Sequence, residues 1–282
     1  MIEGQASRTA ERVAQRRAVH QVLDDPPVFV DPLALQVIDC HVAERIRANP
    51  QEFNDSRLAP YLRAAFAVRS RFAEDELADA VKRGITQYAI LGAGFDTFAY
   101  RNPFLDLRVF EVDYPATQQL KRRRIAEAGI HIPHSVTYVE VDFAAQSFLD
   151  RLVQSGFVRG RPAFFSWLGV VPYLEVSAIT QTLQTIAGLP RETTIVFDFG
   201  CPRSSLSPIG KVVFDRMSVR VAAAGEPWKA LFSPEELLRL LHLLGFSVAE
   251  DCAAQELNAK YFSARSDGLC VGEMAHVAKA IV

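Results

Sequence analysis

The N-terminal part of the chain has a hydrophobic pattern that differs from the rest. Over residues 1–83, apolar residues recur at the spacing of a helix, for example in AERVAQRRAVHQVL and FAVRSRFAEDELADAVKRG. Prolines at positions 26, 27, 32 and 50 interrupt this pattern, because proline disfavours a helical conformation of the residue before it. The pattern predicts a helical N-terminal extension over residues 1–83, with Gly84 ending its last helix.

The pattern changes after Gly84, where short β-rich apolar runs alternate with helical stretches. The runs cover residues 88–94, 108–113, 136–142, 163–169 and 194–200, and FSVAED and CVGEMAHVAKAI form two closing strands. Near-continuous apolar strands, separated by segments long enough for crossover helices, are typical of a parallel sheet covered on both faces. The sequence thus predicts an α/β domain with a doubly wound, Rossmann-like sheet over residues 84–282.

Residues 201–230, after the fifth predicted strand, are rich in Ser, Pro and apolar residues, with a predicted helix at 211–224. Long insertions at the ligand edge of a sheet commonly contribute to binding sites. We expect this segment to form a lid insertion that walls a substrate pocket together with the N-terminal helices. The next helix is expected to begin at Ser233, which caps it with Glu236 three residues later.

Composition and charge narrow the function classes. The 282 residues include 31 Lys plus Arg and 33 Asp plus Glu, a formal charge of −2 that argues against nucleic-acid binding. The basic run KRRR at 121–124 is interpreted as a solvated helix face. No apolar stretch is long enough for a membrane span, and residues 1–20 lack the apolar core of a secretory signal. We therefore expect a cytoplasmic protein without a membrane partner.

Neither the cysteines nor the histidines indicate a metal site. The four cysteines are widely scattered, without the spacing of a metal knuckle, a redox pair or a disulfide scaffold. His131 and His134 flank a predicted loop and have no third ligand nearby. The other histidines, including His276, fall in helical or strand patterns and are assigned structural roles.

The sharpest local feature is the turn Gly92-Ala93-Gly94 at the end of the first predicted strand. Glycine lets the backbone approach a ligand closely and adopts φ angles that other residues resist. A dinucleotide site would carry a third glycine at position 97, which is Thr97, so the turn favours a mononucleoside without pyrophosphate. Taken alone the turn is a weak signal, and an ordinary tight turn is the alternative.

Acidic residues end the next two strands. The second strand ends in Glu111-Val112-Asp113, where an acid can bind ribose hydroxyls, and Asp113 is preferred because it lies nearer the ligand edge. The third strand ends in Asp142, followed by Phe143, which could bind and cover an adenine. The alternatives are a helix N-cap for Asp142 and a core position for Phe143. Together the three strand ends predict a pocket for an adenosine-containing ligand, and S-adenosylmethionine fits better than NAD.

Longer motifs around these strand ends are recognisable. YAILGAGFDTFAYR is followed by FEVDYPATQQLKRRRI, and FVDPLA, VRSRFAEDEL, YVEVDF and FFSWLGVVPYL extend the likeness over nearly the whole chain. The chain resembles the leucine carboxyl methyltransferase family, and within it the bacterial class I S-adenosylmethionine-dependent O-methyltransferases, some of which act in polyketide tailoring. GAGxDT and ExDxP in combination are far more specific than the glycine turn. The resemblance implies a seven-stranded methyltransferase sheet.

The resemblance also implies which residues hold the cofactor. The turn at 92–94 would line its methionine part, Asp113 its ribose, and Asp142 with Phe143 its adenine.

Basic residues of the N-terminal segment are implied as well. Arg69, in VRSRF, looks like the family arginine that binds the cofactor carboxylate through a bidentate fork, with Arg71 as the alternative. The family also has a basic residue that faces the cofactor in its N-terminal segment. Arg16 and Arg17 are both candidates for it, and chance surface charge would account for at least one of them.

The chain departs from the family after the fourth strand. Many members have a glutamate after the strand's aromatic residue, whereas Leu168 follows Trp167 here. Both residues are expected at the cofactor site, and binding of the cofactor ammonium would fall to backbone carbonyls or another side chain. Phe98 stands where relatives often have arginine. Tyr173 lies on the expected ligand side and is the candidate for orienting the acceptor, with packing as the alternative.

The leading hypothesis is an S-adenosylmethionine-dependent O-methyltransferase of secondary metabolism. It would act on a carboxylate, which needs no general base, or on a hydroxyl, which does. The alternatives are a nicotinamide-dependent oxidoreductase and a degenerate cofactor-binding protein without activity. The sequence leaves the oligomeric state open, with a homodimer as one option.

Overall fold

The computed structural model describes residues 7–143, 146–223 and 225–282. These residues form seven strands, which are β1 Gln87–Leu91, β2 Arg108–Asp113, β3 Val136–Glu140, β4 Phe164–Trp167, β5 Thr194–Phe199, β6 Val248–Ala253 and β7 His276–Ile281. Their α-helices are α1 Arg8–Leu23, α2 Cys40–Ala48, α3 Ala59–Lys82, α4 Phe98–Arg101, α5 Pro115–Glu127, α6 Phe148–Gln154, α7 Val176–Ala187, α8 Pro208–Ala223, α9 Pro234–Leu243 and α10 Ala254–Tyr261. None of the helices within these ranges is both long and apolar enough to cross a lipid bilayer.

All seven strands belong to one sheet, with the order β3-β2-β1-β4-β5-β7-β6. The first five strands are parallel, and β7 runs antiparallel between β5 and β6. The strand order reverses between β1 and β4, because β2 and β3 extend the sheet to one side of β1, and β4 and β5 extend it to the other. Such a switch point is where ligands bind in open α/β sheets. This architecture confirms the predicted α/β fold with a seven-stranded, doubly wound sheet.

Several predicted element ends are confirmed. α3 ends at Lys82, and Gly84 follows with a φ of 101°. The two closing strands are β6 and β7, although β7 begins only at His276. The helix predicted at 211–224 begins earlier, at Pro208, and extends to Ala223, after which residue 224 lies outside the described residues. The Ser233–Glu236 capping box of α9 is formed in both directions.

Apolar side chains fill both faces of the sheet. One face packs against α6, α7 and α9, and the other against α3, α4 and α10. Every residue of β1 is buried, as expected for a central parallel strand. A third apolar cluster joins α1 and α2 to Phe95 and Ile125, which places α1 beside the turn after β1.

Candidate active site

Two adjoining cavities lie at the carboxyl edge of the sheet. The smaller cavity has a volume of about 500 Å³ and is lined by α1 and by the segments that follow β1, β2, β3 and β4. The larger cavity has a volume of about 1210 Å³ and lies among α1, α3, α8 and the start of β7. Five residues line both cavities, and we call them the neck: Thr9, Val13, Arg69, Gly169 and Tyr173.

The predicted glycine turn forms one wall of the smaller cavity. Gly92 and Gly94 have φ angles of 68° and 46°, in the left-handed region that favours glycine. The backbone N–H groups of Gly92 and Ala93 both donate to the Val112 carbonyl, at 2.8 and 3.0 Å, which ties the turn to β2. A Cβ on Gly92 would lie 2.5 Å from Cγ2 of Val170, so the turn has no room for a side chain there.

Asp113 lines the smaller cavity and Glu111 does not. The Asp113 carboxylate accepts hydrogen bonds from the backbone N–H groups of Gly94 and Tyr114, and burial raises its pKa. Glu111 is fully buried and pairs with Lys121 at 2.7 Å, and burial raises its pKa to about 6. The structure therefore supports the choice of Asp113 over Glu111 as the acid that faces a ligand.

Asp142 and Phe143 also line the smaller cavity. The N-cap of α6 is Ser147, whose hydroxyl accepts from the Asp150 backbone N–H. The N-cap alternative for Asp142 is therefore wrong, because a serine five positions later takes that place. Phe143 is half-buried and packs near Phe148, with 6.4 Å between ring centroids. The contact of Asp142 and Phe143 with the adenine stays a prediction.

The two candidate arginines of α1 face different surroundings. Arg17 lines the smaller cavity, but its guanidinium pairs with Asp31 at 2.6 Å and with Asp96 at 3.5 Å. Arg16 lines only the larger cavity, where Asp55 is 3.9 Å away. The expectation that Arg16 faces the cofactor is corrected, because adjacent helix residues point about 100° apart.

Arg69 lies in the neck and is fixed by an acid that the sequence analysis did not single out. Its Nη1 donates to Asp198 at 2.7 Å, and the backbone N–H of Gly169 donates to the other oxygen of the same carboxylate. Arg71, the alternative to Arg69, instead pairs with Asp75 on the outer side of α3 and lines neither cavity. The only sequence signal for Asp198 is its position near the end of β5.

Leu168 and Trp167 occupy opposite sides of the sheet. Leu168 lines the smaller cavity. Trp167 is fully buried in the core beside Phe197, with ring centroids 6.4 Å apart, and lines neither cavity. The expectation for Trp167 is corrected by strand alternation, which turns neighbouring side chains to opposite faces.

Tyr173 lies in the neck, where a side chain can touch ligands in both cavities. Burial raises the pKa of its hydroxyl, so the phenol stays protonated and is suited to donate a hydrogen bond rather than to accept a proton. Its role in orienting the acceptor stays a prediction.

His276 was assigned a structural role, yet it lines the larger cavity. Its Nδ1 lies 2.9 Å from Asp251, and its ring packs on Phe199 with centroids 5.1 Å apart. Burial lowers the pKa of His276, but hydrogen bonds with Asp251 and the Cys201 thiol raise it to about 10. At neutral pH this histidine is a cation. In the described ranges, no group of three or more His, Cys, Asp and Glu residues is placed to hold a metal ion.

The fold and the smaller cavity define a class of protein. A seven-stranded sheet with an antiparallel β7, a glycine turn after β1 and an acid at the end of β2 are the features of an S-adenosylmethionine-dependent methyltransferase. The residues present fit this cofactor, because Asp113 offers a carboxylate to ribose hydroxyls and Arg69 a guanidinium to a carboxylate.

Comparison with known proteins identifies the family. The family model described as leucine carboxyl methyltransferase matches residues 10–187. The "Putative S-adenosyl-L-methionine-dependent methyltransferase YktD" of Bacillus subtilis (strain 168) is 30% identical over 303 residues, which cover 100% of this chain and 99% of that protein. The chain belongs to the leucine carboxyl methyltransferase family, as the motifs predicted. It is an S-adenosylmethionine-dependent methyltransferase, and the nicotinamide-dependent and non-enzymatic alternatives are rejected.

A further relative and two solved structures agree. The "Putative S-adenosyl-L-methionine-dependent methyltransferase Rv3399" of Mycobacterium tuberculosis is 27% identical over 241 residues, covering 82% of this chain and 65% of that protein. A putative methyltransferase structure from Thermobifida fusca has a TM-score of 0.59 at 16% identity, covering 99% and 96% of the two chains. A DUF574 family protein from Streptomyces avermitilis has a TM-score of 0.57 at 18% identity, covering 95% of each. These two structures share the fold.

Proposed function

We propose that this methyltransferase methylates a carboxylate or hydroxyl oxygen of a small, polyketide-like molecule bound in the larger cavity. The observation that supports the proposal is that the larger cavity, of about 1210 Å³, meets the smaller one at the neck. Small-molecule sites are typically about 300–1,000 Å³. The larger cavity therefore has room for an extended acceptor with one end beside the cofactor. Such an acceptor suits secondary metabolism.

We assign the smaller cavity to the cofactor. Asp113 would bind the ribose hydroxyls, Asp142 and Phe143 the adenine, and the turn at 92–94 the methionine part. All of these residues line the smaller cavity, which supports the assignment. If Arg69 of the neck binds the cofactor carboxylate, the sulfonium would lie close to the neck and the nucleoside farther from it.

Asp198 offers a replacement for the glutamate that many family members have after β4. It lies on β5, the neighbouring strand, and is joined to the loop after Leu168 by the hydrogen bond from Gly169. Because Asp198 binds Nη1 of Arg69, it also fixes the guanidinium while Nη2 points toward Gly169. We therefore propose that Arg69 binds the cofactor carboxylate and that Asp198 positions Arg69 and balances its charge.

The chemistry of the neck favours a carboxylate acceptor. S-adenosylmethionine supplies an electrophilic methyl group, which the acceptor oxygen takes by in-line displacement while the C–S electron pair returns to sulfur. A carboxylate needs no proton removed, whereas a hydroxyl does. Both oxygens of Asp198 already accept hydrogen bonds, and Tyr173 is protonated. The neck residues thus orient and enclose the reactants rather than remove a proton.

We further propose the domain organisation that the sequence predicts. Residues 1–83 would form the extension and 84–282 the methyltransferase domain, with 201–230 as a lid. The cavity-lining face of α8 supports the lid, because α8 packs against little of the sheet. α3, however, also packs on β4 and β5, so the extension contributes to the sheet layer as well. The unpaired cysteines suit a cytoplasmic location.

The cofactor assignment is tested with Asp113→Ala and the conservative control Asp113→Asn. Hydrogen bonds to a charged group contribute about 1.5–3 kcal/mol each, so we expect about a 100-fold loss of S-adenosylhomocysteine affinity in Asp113→Ala, and a smaller loss in the control. Isothermal titration calorimetry measures both. Wild-type affinity in Asp113→Ala would contradict the assignment of the ribose site.

The acceptor class is tested by transfer of a labelled methyl group from S-adenosylmethionine to a panel of aromatic and aliphatic acids, phenols and alcohols. A methyl ester releases labelled methanol in base, whereas a methyl ether does not. We expect base-labile label. Base-stable label on phenols or alcohols alone would instead assign a hydroxyl acceptor. Adding amines and thiols to the panel completes the test, because label on those alone would contradict O-methylation.

A further inference from the structure

The wall of the larger cavity includes arginines from three separate parts of the chain, and two of them, Arg16 and Arg220, meet at Asp55. Arg12 and Arg16 come from α1, Arg57 from the segment before α3, and Arg216 and Arg220 from α8. Within the residues that the structure describes, Arg12, Arg57 and Arg216 form no salt bridge. We call these five residues the arginine end.

Few carboxylates balance this charge. Asp55 is 3.9 Å from Arg16 and 4.0 Å from Arg220, so two guanidiniums share one acid at the limit of ion-pair distance. Among the other acids of the cavity wall, Glu52 binds Arg45 and Asp198 binds Arg69, whereas Glu273 binds the uncharged Ser207 just before α8. Glu226, beside the smaller cavity, interacts with Arg12 without forming a salt bridge with it. The arginine end therefore carries an excess of positive charge.

The guanidinium of Arg16, one of these charges, is partly desolvated. Its side chain is 18% exposed, and burial lowers its pKa, with Asp55 opposing the shift and Arg220 adding to it. A partly buried cation is stabilised by a close counter-charge, which Asp55 supplies only weakly. An anionic ligand group at this place would complete the pairing.

The wall between the arginine end and the neck is apolar. Asp55 precedes α3, and the neck residue Arg69 lies ten residues after the first residue of that helix, Ala59. At about 1.5 Å per residue, Ala59 and Arg69 are about 15 Å apart along α3, whereas on α1 Arg16 lies only three residues, about 5 Å, from the neck residue Val13. Leu58, the N-cap of α3, and Leu62, Ala65 and Phe66 of α3 contribute apolar side chains to the cavity wall.

The facing wall is one side of α8. Ile209, Val212 and Val213, Met217 and Val221 follow each other at helical spacing and all line the cavity. Ile209 and Val212 are 78% and 52% exposed, so an apolar ligand would remove this surface from water.

We propose that the larger cavity binds an amphipathic anion. Its apolar body would lie between α3 and α8, its anionic group at Arg16 and Arg220, and its methylated oxygen at the neck. This inference rests on the proposed function and narrows the acceptor to molecules with a second, acidic end. A carboxylate or a phosphate could provide that charge.

The test compares two fluorescent probes that differ by one sulfonate, 8-anilinonaphthalene-1-sulfonate and the neutral N-phenyl-1-naphthylamine, with S-adenosylhomocysteine saturating. Arg16→Gln/Arg220→Gln should weaken binding of the anionic probe about ten-fold and leave the neutral probe within about two-fold. Arg220→Gln alone, on exposed helix surface, should show part of the effect. Lys211→Gln removes a charge from the same helix outside the cavity wall and should change neither probe.

Competition then identifies the anion. Dodecanoate or dodecyl phosphate should displace the anionic probe from wild-type protein at least ten-fold better than dodecanol, and the better of the two identifies the acidic group. Equal displacement by dodecanol, or equal weakening of both probes in Arg220→Gln, would overturn the proposal. Calorimetry with S-adenosylhomocysteine separates this proposal from the proposed function. If the cofactor binds normally but the larger cavity shows no preference for the anionic probe, only the proposal of an anionic acceptor is contradicted.

Discussion

The smaller and the larger cavity are built in opposite ways. In the smaller cavity, backbone N–H groups already satisfy the Asp113 carboxylate, and the glycine turn is bonded to β2. In the larger cavity, Arg16 and Arg220 share one distant acid, Asp55, and the apolar side of α8 faces open space. The first is preorganised for one ligand, whereas the second gains its missing contacts only when a ligand binds.

The largest loss of stability is expected from breaking the buried pair of Lys121 and Glu111, which lies on the side of the molecule that forms the smaller cavity. Lys121→Met leaves Glu111 fully buried without its cation and should lower the free energy of unfolding by about 3–5 kcal/mol. Urea denaturation monitored by circular dichroism measures this. The matched control, Glu111→Leu with Lys121→Met, removes both charges and should restore most of the loss. If Lys121→Met were as stable as wild type, the pair of Lys121 and Glu111 would contribute nothing to the stability of the fold.

The loss of stability in Lys121→Met should depend on pH in a defined direction. The folded pKa of Glu111, about 6, lies above its ordinary value of 4.5, so its ionisation makes the folded protein less stable as pH rises from about 4.5 through 6. Without Lys121 the folded pKa rises further, and the destabilisation should be smaller at pH 5 than at pH 8. The control without either charge should lack this difference.

The contrast between the cavities also explains what could be predicted from sequence. The strands were recognisable because their apolar runs are continuous. The candidate cofactor residues stood out because they follow strand ends within short motifs. The same continuity hid which side chain of the fourth strand faces the ligand, since both faces are buried, and Trp167 was therefore placed wrongly. Likewise, helical spacing gives neighbouring Arg16 and Arg17 different directions without saying which one faces the cofactor.

The acceptor side was out of reach for a physical reason. Its arginines and apolar residues come from α1, the segment before α3, α3 itself and α8. No local motif links segments that meet only in the folded chain. Asp198 and His276 were missed for the same reason, because each gains its partner from another element, Arg69 from α3 and Asp251 from β6.

A medium effect is expected from the glycine turn. Gly92→Ala forces a left-handed φ on alanine, about 1–2 kcal/mol, and adds a clash with Val170. We expect a loss of about 2–3 kcal/mol of stability together with weaker S-adenosylhomocysteine binding. Gly129→Ala is the control, because Gly129 has a φ of 64° and open space around it. Gly129→Ala should lose only the stability that the left-handed φ costs, and thermal unfolding measures both variants. Equal losses in both would show that Val170 moves aside without a measurable loss of stability.

The smallest effect on stability, and the sharpest test of the acceptor half, is expected on α8. Ile209→Ser and Val212→Ser change cavity-lining side chains that are already exposed, so stability should stay within about 0.5 kcal/mol. Binding of N-phenyl-1-naphthylamine should nevertheless weaken about five-fold, because the ligand loses apolar surface to cover. Val219→Ser is the matched control, since Val219 is 70% exposed on the same helix but lines neither cavity. If Val219→Ser weakened the probe as much as Ile209→Ser, α8 would not form a wall of the acceptor site, and the lid proposed for residues 201–230 would fail with it.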